Sequence, residues 1–298
     1  MNRKEFERIR KKEIGGIHLS EEERVIYLNR LMKPYGEKGR RFIFQYLDAD
    51  GNELSGKFWS VNSSSRFAFE LYSWMAECSD IKNIEFEKKL VGIKNAGKVP
   101  NMDVYIEIGN RVIFIESKFS EIYKQQIIKL PDAYYKEDGF DTSGRPLKSS
   151  LESRYYDLKQ VASMFNSFIN SVYEKLENKD YEDCWMEFKQ EITHLVGIAL
   201  TICLDETGFY KDKDIEFYNI YYDFHDKGNS AIDFFFDEAK EKMSEILKGY
   251  CNSFTYSHMK AQQMVRENIV TKYDLSKQGF SSDKTIGQIL SEQFRFEI

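Results

Sequence analysis

Pro100-Asn101-Met102-Asp103-Val104-Tyr105-Ile106-Glu107-Ile108-Gly109-Asn110-Arg111-Val112-Ile113-Phe114-Ile115-Glu116-Ser117-Lys118-Phe119 is the stretch on which the fold turns. Two strongly apolar runs flank Gly109-Asn110, a pair suited to a two-residue hairpin turn because glycine accepts the positive φ that such a turn demands. The turn fixes the register. With Ile108 opposite Arg111, Asp103 falls opposite Glu116, their Cβ atoms roughly 5 Å apart on one face of the sheet. Side chains alternate with period two, so Lys118 shares that face, while Val104, Ile106, Ile108, Ile113 and Ile115 turn the other way into a core. An acidic pair and a lysine are expected at one spot.

Two carboxylates that close repel each other, and burying charge without a partner costs several kcal/mol. A divalent cation removes that cost. Hard ions such as Mg2+ take oxygen ligands from one or two carboxylates, from waters and from substrate phosphates. Lys118 beside such an ion is placed to orient or deprotonate an attacking water, or to neutralise charge on a scissile phosphate. The competing reading makes Glu116 and Lys118 charges that guard an exposed strand edge against mispairing.

Asp103, twelve intervening residues and then Glu116-Ser117-Lys118 resemble the core motif of the PD-(D/E)XK nuclease superfamily, with Pro100-Asn101-Met102-Asp103 in place of an adjacent Pro-Asp. The resemblance implies an α/β fold, with a restriction-endonuclease-like αβββαβ core whose mixed sheet is flanked by helices. It also implies hydrolysis of phosphodiester bonds in DNA, with RNA as the alternative substrate and Mg2+ (or Mn2+) as the cofactor. Asp103 and Glu116 would hold the metal with help from the carbonyl of Ser117, and Lys118 would orient or activate water. An acidic residue from the helix before the sheet often joins such a site; Glu70 is the match, with its heptad equivalent Glu77 second. Relatives also place a glutamine or basic residue on the helix after the third strand, for which Gln160 and Arg154 are equal candidates. Members serve in restriction, repair and phage defence, so a defence or repair role is the analogy. The alternative from another class is a catalytically inactive nuclease-fold protein that binds or scaffolds a partner.

The rest of the chain bounds these readings. Its 298 residues, 42% hydrophobic, suffice for one large domain with extensions or two modest ones. Cys78, Cys184, Cys203 and Cys251 lack C-x-x-C spacing, so neither a zinc site nor a disulfide framework is expected. No apolar run approaches the roughly 18 residues of a membrane span, and no apolar segment follows the charged Arg3 to Lys12, which points to a cytoplasmic protein without a membrane partner. A net charge of -6 gives no global electrostatic case for nucleic acid. Locally, Lys88, Lys89, Lys94 and Lys98 fall in an acid-free run that can grip phosphates or form an ordinary solvated loop. His18, His194, His225 and His258 show no metal-ligand spacing, and His194 reads as a capping or packing residue at a strand entrance. Nucleophile-elbow, Walker and dinucleotide-binding motifs are absent.

The expected order starts with an N-terminal helical and hairpin extension, residues 1–55. There Ser20-Glu21-Glu22-Glu23 opens a helix ending near Pro34-Tyr35-Gly36, and Arg41 to Leu47 forms a strand. The Asp48-Ala49-Asp50-Gly51-Asn52 string is turn chemistry and not a calcium loop, because its glycine and its twelfth position are wrong. The nuclease-like core, residues 56–225, begins with a helix from Asn62 or Ser63 to about Cys78, burying Phe67, Leu71, Trp74, Met75 and Cys78. Ile84 to Val91 is the first core strand, on which either Glu85 or Glu87 can face the site. A polar insertion leads to a helix from Leu151 to Tyr173. Leu195 to Leu204, nearly all apolar, reads as a strand buried on both faces, and Ile215 to Phe224 as another. Residues 226–298 form a helical C-terminal extension packed on the core. Its first helix carries an apolar stripe from Ile232 to Leu247 that suits core packing or a homo-oligomeric interface; others are expected over His258 to Val270 and Thr285 to Phe294.

Overall fold

A computed structural model describes residues 20–49, 53–59, 63–92, 99–118, 188–221 and 230–260. They form an α/β fold in which a five-stranded mixed sheet is flanked by helices. The strands are β1 (Ile81–Lys89), β2 (Asn101–Ile108), β3 (Arg111–Lys118), β4 (Asp214–Tyr221) and β5 (Ser253–Lys260), lying side by side in sequence order. β1, β2 and β3 are antiparallel; β4 and β5 continue the sheet parallel to β3. Parallel neighbours need a crossover. Among the described residues two helices serve, α4 (Phe188–Cys203) between β3 and β4, and α5 (Ser230–Ile246) between β4 and β5.

The β2–β3 hairpin follows its turn chemistry. Gly109 takes φ +58°, Ile108 pairs with Arg111, and the register runs unbroken to Val104 opposite Ile115. Alternation then divides the core in two. Ile84, Phe86, Val104, Ile106, Ile113, Ile115 and Ile220 pack under the N-terminal helices α1 (Glu21–Met32), α2 (Gly36–Asp48) and α3 (Ser64–Tyr72). Tyr105, Val112, Phe114, Ile215, Phe217 and Tyr256 pack under α4 and α5. Both faces of the sheet are covered, as the strongly apolar central strands require.

α1 begins after Ser20 and α3 after Ser63, as their cap chemistry predicts; the Ser63 hydroxyl accepts from the Arg66 N–H at 3.0 Å. A 3-10 turn, Ser73–Glu77, extends α3, and Phe67, Leu71 and Met75 are buried as expected. The side chain of Trp74 lies outside the described residues.

Four expectations change. Arg41 to Leu47 belongs to helix α2, because the residues it buries, Gly39, Phe42 and Tyr46, recur at helical spacing while Phe44 and Leu47 are exposed. A short apolar run reads equally well as strand or helix, and here the helical face found the core. Leu195 to Cys203 is the C-terminal part of helix α4, and Leu204 follows it in a turn. The run is apolar on nearly all sides because it packs against both the sheet and α5, a setting that erases amphipathic periodicity. Gly197 lets it sit close, since a Cβ there would stand 2.9 Å from both Leu90 Cδ1 and Pro100 Cγ. His258 lies in strand β5, whose register pairs it with Asn219, and not at the start of a helix. The segment after residue 225 is therefore not wholly helical, since β5 completes the sheet. The helices expected over Leu151 to Tyr173 and Thr285 to Phe294 lie outside the described residues.

Among the described residues no helix is long and apolar enough to cross a membrane.

Candidate active site

The hairpin register runs to Val104–Ile115, and just beyond it Asp103 lies near enough to Glu116 to feel its charge. The backbone N–H of Ser117 donates to Asp103 Oδ2 at 2.7 Å. Lys118 Nζ donates to Glu116 Oε1 at 2.6 Å. All three charged groups are buried: Asp103 is 9% exposed, Glu116 1% and Lys118 5%. β3 lies between β2 and β4, so the edge-protection reading of Glu116 and Lys118 does not hold.

Helix α4 closes the site from above. Gln190 bridges the ion pair: its amide Nε2 donates to Glu116 Oε1 at 2.7 Å and its Oε1 accepts from Lys118 Nζ. One turn on, His194 Nδ1 stands 3.3 Å from Glu116 Oε2. The distance is that of a contact, but neither of these two buried atoms makes a hydrogen bond. Burial is the main force holding the His194 imidazole below its usual pKa, with Lys118 adding to it and Glu116 opposing.

Negative charge dominates the cluster. The carboxyl of Asp103 is pushed well above the ordinary range, first by burial, then by Glu116 and Glu87, against the lowering effects of Lys118 and the Ser117 N–H. Glu87 is thus the β1 residue that faces the site, whereas Glu85 pairs with Lys88 at 2.8 Å. On β1, Phe86 pairs with Val104 and Lys88 with Met102, so the register puts Glu87 level with Asp103. Its φ of +51° is the one positive value on a non-glycine residue among those described. Such a conformation costs about 1–3 kcal/mol and clusters at functional sites. The strand turns over at this level: Met102 joins the core of Tyr105, while Val104, two residues on, packs on the opposite side.

The same level continues across the sheet, with Glu116 beside Asn219 and Asn219 beside His258. Asn219 Nδ2 and Tyr256 Oη, the latter at 2.8 Å, both donate to Glu191 of α4, which is fully buried. These bonds fix the rotation of α4 at the residue next to Gln190. Burial and Glu191 keep the Tyr256 phenol protonated far above its usual range.

Asp103, Glu116, Ser117 and Lys118 are brought together, and the other expected site residues are placed as follows. Glu70 lies in α3, which packs against β2 and β3, and its side chain is outside the described residues. Glu77 is exposed at the end of the 3-10 turn. Lys88 lies over the Tyr105 ring as well as against Glu85, and Lys89 pairs with Asp48 at 2.9 Å. Lys94, Lys98, Arg154 and Gln160 lie outside the described residues. Gln190, on the described helix between β3 and β4, is a further glutamine that bonds both Glu116 and Lys118. Sequence reasoning missed it, and His194 with it, because the segment was read as a strand beginning at Leu195. The signal was present in Gln190 and His194, spaced i, i+4 ahead of an apolar run, which puts both on one helix face.

Among the described residues, no three acidic, histidine or cysteine side chains stand close enough together to hold a metal ion. The donor set nevertheless suits a hard divalent ion bound in the open manner of Mg2+, through one or two carboxylates with water and substrate oxygens for the rest. Asp103 and Glu116 would supply the carboxylates of such a site, and Ser117 a carbonyl. The buried Glu116 Oε2, without a hydrogen bond, is an acceptor still to be satisfied. Compared with family models, with curated proteins and with solved structures, the chain matches none.

Proposed function

We propose that this protein is a metal-dependent nuclease that hydrolyses phosphodiester bonds in DNA, built on a restriction-endonuclease-like core. The observation that carries the reading is the convergence of Asp103, Glu116 and Lys118 in a buried cluster capped by Gln190. Buried ionised side chains are costly, and a cluster with more carboxylates than cations is retained against that cost where it has chemistry to perform.

The roles follow from each group. Asp103 and Glu116, with the Ser117 carbonyl, would hold Mg2+ or Mn2+. The ion would supply Lewis-acid polarisation of the phosphate and stabilise charge on the leaving oxygen. Lys118 lies beside Glu116 Oε1, where its ammonium can orient a water or offset charge developing on the phosphoryl oxygens. Gln190 holds both partners and sets their separation. Glu87 adds negative charge at Asp103 and strengthens the site's demand for a cation.

The second reading is a nuclease-fold protein that binds or scaffolds a partner without catalysis. A substrate panel separates the two. Supercoiled plasmid, linear duplex, single-stranded DNA and RNA are incubated with wild type and Lys118→Met in Mg2+ or Mn2+. Cleavage by wild type that is lost in Lys118→Met, with unchanged circular dichroism, supports the nuclease. Equal behaviour of the two proteins on every substrate would overturn it.

A further inference from the structure

His194 is not needed to explain the acidic pair, the lysine or the glutamine, yet it is aimed at Glu116. Its ring is buried, and its Nδ1 lies 3.3 Å from Glu116 Oε2 with no hydrogen bond on either atom. The backbone carbonyl of Asn101 accepts a hydrogen bond from the ring. His194 Nδ1 and Glu116 Oε2 thus face each other, buried and without hydrogen bonds. Two such atoms are costly to leave unpartnered, and something positive between them would satisfy both.

A metal ion meets that requirement. A ligating imidazole characteristically donates its other ring N–H to a backbone carbonyl or carboxylate, which is the arrangement made here by Asn101. Adjacent ligands on an octahedral ion with bonds of about 2.1 Å stand roughly 3 Å apart, close to the separation seen here.

We propose that His194 Nδ1 and Glu116 Oε2 are two adjacent ligands of the divalent ion, and that the nitrogen ligand makes the site select Mn2+ over Mg2+. The inference deepens the metal-dependent reading and rests on it. Mg2+ gives up its waters reluctantly and prefers oxygen donors, whereas imidazole suits transition ions. The remaining positions would go to Asp103 and the Ser117 carbonyl, as proposed above, and to water and substrate oxygens. Asn101, at the start of β2, and the Glu191 contacts to β4 and β5 hold the imidazole against Glu116.

The test uses Mn2+ and Mg2+ alone, with no nucleic acid. Calorimetric titration of the wild-type chain should give Mn2+ affinity at least tenfold above Mg2+ affinity. His194→Gln should lower Mn2+ affinity by about 10–100-fold while changing Mg2+ affinity less than about threefold. Pulsed electron paramagnetic resonance of wild-type protein with bound Mn2+ should reveal coupling to an imidazole nitrogen, a readout that needs no variant to fold. Bound Mn2+ without nitrogen coupling, or a Mn2+ to Mg2+ ratio unaltered in His194→Gln, would overturn the assignment and leave the nuclease reading intact. Nitrogen-coupled Mn2+ in a protein that cleaves none of the plasmid, linear duplex, single-stranded DNA and RNA substrates would support the metal site and sink the nuclease reading.

Discussion

Gln190 Nε2 donates to Glu116 Oε1 at 2.7 Å across 74 residues of chain. The bond ties α4 to β3 at the carboxylate that Lys118 also holds. Removing it frees both partners to change geometry without emptying the core, since Gln190 is half-buried. Gln190→Ala is expected to keep the fold and lower the rate of DNA cleavage by roughly 10–100-fold. Steady-state cleavage of plasmid by the folded variant measures this, and a rate within twofold of wild type would remove Gln190 from the site.

Asp103 gives a stability prediction with a definite sign. Its carboxyl is raised above the ordinary value, so the folded chain holds this proton more tightly than the unfolded chain. The proton's contribution to stability is present at low pH and is lost as pH rises through the folded value. Asp103→Asn has no charge to lose, and its amide oxygen can still accept from the Ser117 N–H. Without divalent ions the variant should melt higher than wild type at neutral pH, with the gain vanishing towards about pH 4; each kcal/mol gained appears as about 2–4 °C. Melting curves at several pH values decide it. A variant less stable than wild type at neutral pH would mean that the carboxylate is not repelled in the folded chain.

The sequence was most legible where local chemistry and burial agree. Gly109 fixed a turn and the turn fixed a register that runs to Val104–Ile115, one residue short of Asp103 and Glu116. Ser63 and the acidic run after Ser20 marked helix starts for the same reason, that side-chain oxygens and charge act over a few residues. Legibility failed where burial is complete or comes from afar. The Leu195 to Leu204 run has no polar face to betray its period, and the covering partners that decide its conformation, α5 and the sheet, are remote in sequence. With the helix misread, Gln190, Glu191 and His194 had no address. Glu87 was visible as a candidate, but its positive φ is a property of the assembled strand pair and leaves no mark in composition.

Gly197 tests whether the seating of α4 matters to the site. A Cβ at this position would press to 2.9 Å from Leu90 Cδ1 and Pro100 Cγ and 3.0 Å from Leu90 Cβ. Gly197→Ala should therefore cost about 1–3 kcal/mol through overpacking, despite alanine's higher helix propensity. It should also weaken cleavage, because lifting α4 from β1 and β2 moves Gln190 and His194 away from Glu116. Denaturant unfolding and plasmid cleavage on one preparation check both, and a stabilised, fully active variant would show that the helix has room to spare.

The most direct measurement is a paired one on wild type and Asp103→Ala: calorimetric titration with Mn2+ and Mg2+, and incubation of the same samples with plasmid and single-stranded DNA. A metal-dependent nuclease predicts that wild type binds the ion and cleaves in its presence, and that the variant, folded by circular dichroism, does neither. Wild-type protein that neither binds a divalent ion nor cuts any of these substrates would contradict it, and the hairpin would then belong to a binding or scaffold protein.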